Sequence, residues 1–287
     1  MKKAVCVGIN NYPGSTNDLK GCINDAKDWA NLLKLNGFET KIILDNQATR
    51  ANLLSELENL ITRAEPDDVI VFTYSGHGTN VIDISGDEPD GYDEALYVYD
   101  GIILDDSLRA VIQKMKTGVH LVVVSDSCFS GTVTRVSPTG IPRYVKTDEI
   151  PTHFKLKKKL LSEEDMVEIL LSGCDDDEYS YDAYINNRWC GAFSTNAIQV
   201  MQGRMTYNEF HAAIRGVLPS RQYPQSPQLE GSIANKQRLL FETDSIVPLP
   251  EPDPGPEPEP DKSWFASYWW VFAIIVVIGL ILYWLFK

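Results

Sequence analysis

Short apolar runs, separated by stretches of helical period, make up the pattern of this chain. Lys2–Ile9, Phe38–Leu44, Asp68–Tyr74, Leu121–Val124 and Val167–Leu171 read as strands. Leu121–Val124 shows no alternation, which marks a strand buried on both faces. Between the runs the period changes. Ala26, Trp29, Ala30 and Leu33 predict a helix over Gly21–Asn36 with Gly37 as its stop. Thr49 caps a second helix whose stripe is Leu53, Leu54, Leu57, Leu60 and Ile61. Asp105 or Asp106 caps a third, reaching Lys116, and further helices fall over Gly191–Met201 and Thr206–Val217. The last of these opens with a capping box, Thr206 and Glu209. Gln237–Phe241 predicts a final strand. Strands alternating with helices imply βαβ units, hence an α/β fold with a mainly parallel central sheet of about six strands flanked by helices. Two stretches lack any period: Gly78–Leu104, polar and acidic, and 132–165, a long exposed loop rich in Lys and Arg.

Composition changes sharply near the C-terminus. Pro248–Pro260 alternates Pro with acids and predicts an extended spacer, roughly 30–35 Å long. Trp264–Phe286 follows, 23 residues without charge or Pro and with aromatics at both ends, long enough to cross a bilayer. The expected organisation is a globular domain over 1–245, a stalk over 246–262 and a transmembrane anchor over 263–287. Met1-Lys-Lys begins like a signal peptide, but the apolar run Ala4–Ile9 is six residues, too short for one. Five cysteines are an odd number, sparse for a disulfide framework, and no Asn-X-Ser/Thr sequon occurs. These features place the globular domain in the cytoplasm, held to the lipid bilayer by its C-terminal helix. A net charge of −14 excludes nucleic acid as a partner.

The chemistry gathers at two strand ends. Leu121–Val124 runs into Asp126-Ser-Cys-Phe-Ser-Gly131, so a thiol stands where open α/β sheets bind ligands. Polar neighbours around Cys128 argue against a buried structural cysteine. The strand Asp68–Tyr74 ends in Ser75-Gly-His-Gly78, which brings His77 to the same edge. The 51 residues from His77 to Cys128 match the spacing of a thiol nucleophile and its base in caspases. Asp126 lies two residues before Cys128, so its side chain leaves the strand on the same face. A carboxylate there invites a basic P1 residue, ideally Arg.

Tyr74-Ser-Gly-His-Gly78 together with Asp126-Ser-Cys-Phe-Ser-Gly131 resembles the metacaspase/orthocaspase branch of the caspase-like cysteine peptidases. The resemblance implies a three-layer caspase-like fold over roughly residues 1–245, with backbone N–H groups of Gly78 and Cys128 as the oxyanion hole. It extends the pocket for a basic P1 side chain to Cys22, Asp25 and Ser75 beside Asp126. Weaker supporting fragments are Ser172-Gly-Cys174, Gly191-Ala-Phe193 and Pro227-Gln-Leu229, while Asp175–Glu178 departs from the family's Gln-containing run. The chemistry requires no cofactor. The resemblance allows calcium through acids matching Asp93, Asp105 and Asp106, but Arg135 stands near the place of a fourth acid, which weakens that site. The expectation is a membrane-anchored cysteine endopeptidase acting on proteins and peptides with Arg or Lys at P1, self-processing within 132–165. The alternatives are a catalytically silent signalling or scaffold module that keeps the fold, or a caspase-clan peptidase of different specificity.

Overall fold

The structure, a computed structural model, describes residues 1–82, 92–129, 137–146, 163–175 and 178–242, all within one compact unit, Met1–Val247. The stalk, the anchor segment and Arg135 lie outside these residues. Among the described residues no helix is long and apolar enough to cross a membrane.

The strands in chain order are β1 (Lys2–Gly8), β2 (Glu39–Leu44), β3 (Val69–Ser75), β4 (His77–Ile82), β5 (Tyr92–Val98), β6 (Gly101–Leu104), β7 (His120–Asp126), β8 (Ile141–Pro142), β9 (Ile169–Ser172), β10 (Tyr181–Ile185), β11 (Arg188–Gly191) and β12 (Gln228–Glu230). The helices are α1 (Cys22–Leu35), α2 (Arg50–Thr62), α3 (Asp105–Ile112), α4 (Ala192–Val200), α5 (Tyr207–Arg215) and α6 (Ile233–Lys236). Six strands form the central sheet in the order β12-β9-β7-β3-β1-β2, parallel except for the edge strand β12. Each face is covered. Val69, Val71, Val122 and Val124 pack toward Trp29 of α1, Phe193 of α4 and Phe210 of α5. Ile70, Phe72 and Leu121 pack toward Leu53 and Leu57 of α2 and Val111 of α3. Every residue of β3 is buried, which is why its sequence does not alternate. The architecture is the three-layer, mainly parallel α/β arrangement expected.

Four local expectations need correction. The acidic stretch after His77 contains an antiparallel sheet, β4-β5-β6, over a small core of Val81, Ala95, Ile102 and Leu104. Single apolar positions among acids gave no readable period. Asp105 and Asp106 occupy the first turn of α3 and do not cap it; Leu104 is the N-cap. Gln237–Phe241 is no strand: Phe241 has φ 57°, and one isolated bridge, Thr206 to Leu239, replaces a ladder. Its apolar residues are explained by packing, with the Phe241 ring edge-on to Phe38 and Tyr207. Finally, 132–165 is not all exposed loop. Ile141–Pro142 pairs antiparallel with β10, and Arg143 is wholly buried.

Candidate active site

Register sets the site. β3 and β7 are neighbours with Ser75 opposite Asp126, and His77 and Cys128 each follow two residues later. His77 and Cys128 therefore both stand just past the carboxyl ends of neighbouring strands. Gly78 lies so close to Cys128 that a Cβ on it would stand 1.9 Å from the Cys128 carbonyl oxygen. Only glycine fits there.

The two backbone donors converge. Gly78 N and Cys128 N donate to the same acceptor, the carbonyl oxygen of Arg143, at 2.9 and 3.3 Å. Arg143 N donates to Ser180 O at 3.0 Å, and Val145 N to Gly78 O at 3.0 Å. The chain's own 141–145 segment thus lies in the cleft as an extended peptide, one carbonyl held by a pair of N–H groups.

His77 is fixed on several sides. Its N–H donates to Tyr12 Oη at 3.0 Å, its carbonyl accepts from Tyr74 Oη at 2.9 Å, and its ring packs 5.1 Å from that of Tyr12. Ring Nε2 lies 2.8 Å from the Asn17 carbonyl, which only accepts, so Nε2 carries the proton. Nδ1 keeps its lone pair, buried and without a hydrogen-bond partner. Burial holds the imidazole pKa down to about 4, against the Asn17 carbonyl, which favours the charged form. At neutral pH the ring is therefore an uncharged base. The Cys128 thiol is engaged elsewhere: it accepts from Ser180 N at 2.7 Å and donates to Ser180 O at 3.2 Å.

Asp25, Ser75 and Asp126 converge on the buried guanidinium of Arg143. Its Nη1 meets Asp126 Oδ2 at 3.0 Å and Ser75 Oγ at 2.8 Å; its Nη2 meets Asp25 Oδ2 at 2.7 Å and Asp182 Oδ1 at 2.9 Å. Asp126 is itself anchored by Ser194, through N at 3.0 Å and Oγ at 2.7 Å, and by the Ser180 hydroxyl. Burial opposes charge on Arg143, but the carboxylates, Asp126 first and then Asp25 and Asp182, outweigh it and push the guanidinium pKa well above its ordinary value. Burial pushes the Asp25 carboxyl up, Arg143 pulling it back. Burial also drives the Cys22 thiol pKa well up, so Cys22 lines the pocket as a protonated wall and not as a nucleophile.

Sequence reading missed Asp182, Ser180, Ser194 and Asn17, and held Arg143 only as one of several basic residues in an exposed, self-processed loop. One signal for Asp182 was there. Asn186 and Asn187, at φ 54° and 61°, join β10 to β11 in a two-residue hairpin turn, and Asn-Asn between aromatic runs marks such a hairpin. The calcium site fares differently. Asp93 lies in β5 while Asp105 faces Arg109 in α3, and no three His, Cys, Asp or Glu among the described residues group as metal ligands.

A family model described as "Metacaspase, peptidase C14 domain" matches residues 2–137. Metacaspase-1 of Meyerozyma guilliermondii is 33% identical over 297 residues, spanning 84% of this chain and 72% of that protein. Metacaspase-1 of Emericella nidulans is 32% identical, spanning 84% and 72%. Among solved structures, protein GSU0716 from Geobacter sulfurreducens aligns with a TM-score of 0.66 and 27% identity, over 84% of this chain and 98% of that one. Fold and relatives alike define a cysteine-type endopeptidase, a hydrolase of caspase-like α/β architecture. The chain belongs to the metacaspase family.

Proposed function

We propose that the enzyme cuts after Arg, and less readily after Lys, with Cys128 as nucleophile and His77 as its base, and that its first substrate is its own Arg143–Tyr144 bond. Arg143 carries the reading. Its guanidinium meets three carboxylates while its carbonyl oxygen accepts from Gly78 N and Cys128 N. That is how a scissile P1 residue should lie, side chain in the specificity pocket and carbonyl at the oxyanion donors. Asp25, Ser75 and Asp126 act in that pocket, with Asp182 added and Cys22 as its wall.

For chemistry the thiol leaves Ser180 and gives its proton to His77 Nδ1. The sulfur attacks the Arg carbonyl carbon, and the oxygen takes the electron pair between the two N–H groups. The C–N bond then breaks as His77 returns the proton to the Tyr144 amine. Water, deprotonated by His77, cleaves the thioester, freeing a carboxylate and restoring the thiol. No step calls on a metal.

Mass spectrometry of wild-type and Cys128→Ala protein tests the reading. A cut after Arg143 is expected in the wild type alone; an identical pattern in the mutant would remove Cys128 as nucleophile. The apolar segment 264–286 is proposed as a membrane anchor with the catalytic domain on the cytoplasmic side. Carbonate extraction of membranes should leave full-length protein in the pellet.

A further inference from the structure

The prime side of the cleft is occupied as fully as the P1 pocket. Because Arg143 O sits at the Gly78 and Cys128 N–H groups, chain connectivity places Tyr144 immediately after the scissile bond. Its backbone bridges in parallel to Gly78, and Val145 N donates to Gly78 O at 3.0 Å, which fixes where its side chain can go. The phenol donates to Asn80 Oδ1 at 2.9 Å. Asn80 stands two residues beyond Gly78 in β4, hence on the same face of that strand. On the other side the Tyr144 ring lies 6.0 Å from that of Tyr179, within the range of aromatic pairs. Tyr179 directly precedes Ser180, whose backbone holds both Arg143 N and the Cys128 thiol. One side chain offers an acceptor and the other an apolar ring, the two requirements of a phenol.

We infer that Asn80 and Tyr179 form an S1′ subsite selecting tyrosine after the scissile bond, so that the enzyme's preferred protein substrates carry an Arg-Tyr pair. This rests on the cleavage chemistry proposed above and adds a second determinant to it. Both residues touch substrate and act in specificity, not in bond breaking.

The test uses peptides spanning Gly140–Lys146 with Tyr, Phe or Ala at the Tyr144 position, and an Arg-aminocoumarin substrate that has no P1′ residue. With wild-type protein, kcat/KM should fall roughly 2- to 10-fold from Tyr to Phe, the worth of one neutral hydrogen bond. It should fall by about as much again from Phe to Ala, the worth of an aromatic pair. Asn80→Ala should bring the Tyr/Phe ratio near one while keeping the Phe/Ala ratio; Tyr179→Leu should do the reverse. These ratios are taken within one protein and do not depend on how much of it is folded. Equal cleavage of the three peptides, with the aminocoumarin substrate still cut, overturns the subsite and leaves the P1 reading standing. A Tyr/Phe ratio unchanged in Asn80→Ala overturns it equally. If wild-type protein leaves the aminocoumarin substrate intact, the Cys128–His77 reading falls first and the subsite falls with it.

Discussion

At the scale of single residues, Asp182 shows how much of the pocket around Arg143 lies outside the motifs. Its Oδ1 accepts from Arg143 Nη2 at 2.9 Å and Gly21 N at 3.0 Å, and its Oδ2 from Lys20 N at 2.8 Å. Replacing it with Asn keeps the shape, removes the charge and turns an amide toward a backbone donor. We predict that Asp182→Asn lowers kcat/KM on Arg peptides about 10- to 100-fold, the worth of a hydrogen bond to a charged group. Lysine carries one ammonium where arginine spreads a fork, so the Arg-over-Lys preference should shrink as well. Fluorogenic peptides ending in Arg and Lys measure both. An unchanged ratio would assign the fork's recognition to Asp25 and Asp126 alone.

At the scale of elements, the end of β11 forms the floor of the same pocket. Gly191 N donates to Asp25 Oδ1 at 2.7 Å, and a Cβ there would fall 2.0 Å from Asp126 Oδ2 and 2.7 Å from Arg143 Nη1. Gly191→Ala should therefore abolish cleavage after Arg and lower the melting temperature, since neither the carboxylate nor the guanidinium has room to yield. A fully active Gly191→Ala enzyme would contradict this packing. The same element marks the limit of what the sequence made legible. The parallel strands and the helices over them were readable because each buries a whole face, and a buried face leaves an unbroken run or a 3.6-residue stripe. The strand ends holding His77 and Cys128 followed from those runs. β8, β10 and β11 were harder to read: they are two to five residues long, too short for a period, and only the Asn186-Asn187 turn marks the β10–β11 hairpin. Arg143 itself looked like a solvated cation, because its three carboxylate partners come from residues 25, 126 and 182, far apart in sequence.

At the scale of the whole molecule, buried imidazoles tie stability to pH. Burial lowers His77 to about 4 and His120 to about 3, from an ordinary 6.5. Below pH 6.5 the unfolded chain takes up protons there that the folded chain refuses, so stability present above that pH is lost as it falls. The slope is about 1.4 kcal/mol per pH unit for each ring. Asp105, raised by burial to about 6, acts in the opposite direction over pH 6 to 4 and offsets part of the loss; Asp25, also raised by burial, works in the same sense as Asp105. Melting temperature should fall on acidification below pH 6.5. His120→Gln, which can keep a hydrogen bond to Tyr207, should flatten the fall; a melting temperature constant from pH 6.5 to 4.5 would contradict the neutral, buried rings. The position of Arg143 also carries a kinetic consequence. Cutting its bond to Tyr144 leaves it covalently joined, through residues 129–142, to Cys128. The product is then a tethered competitor, its new carboxylate facing the two N–H groups and its guanidinium still among three carboxylates. Tethering over a short span sets an effective concentration in the millimolar range. A free peptide of micromolar affinity must contend with that occupancy at every enzyme concentration. Dilution relieves ordinary product inhibition and leaves this kind untouched.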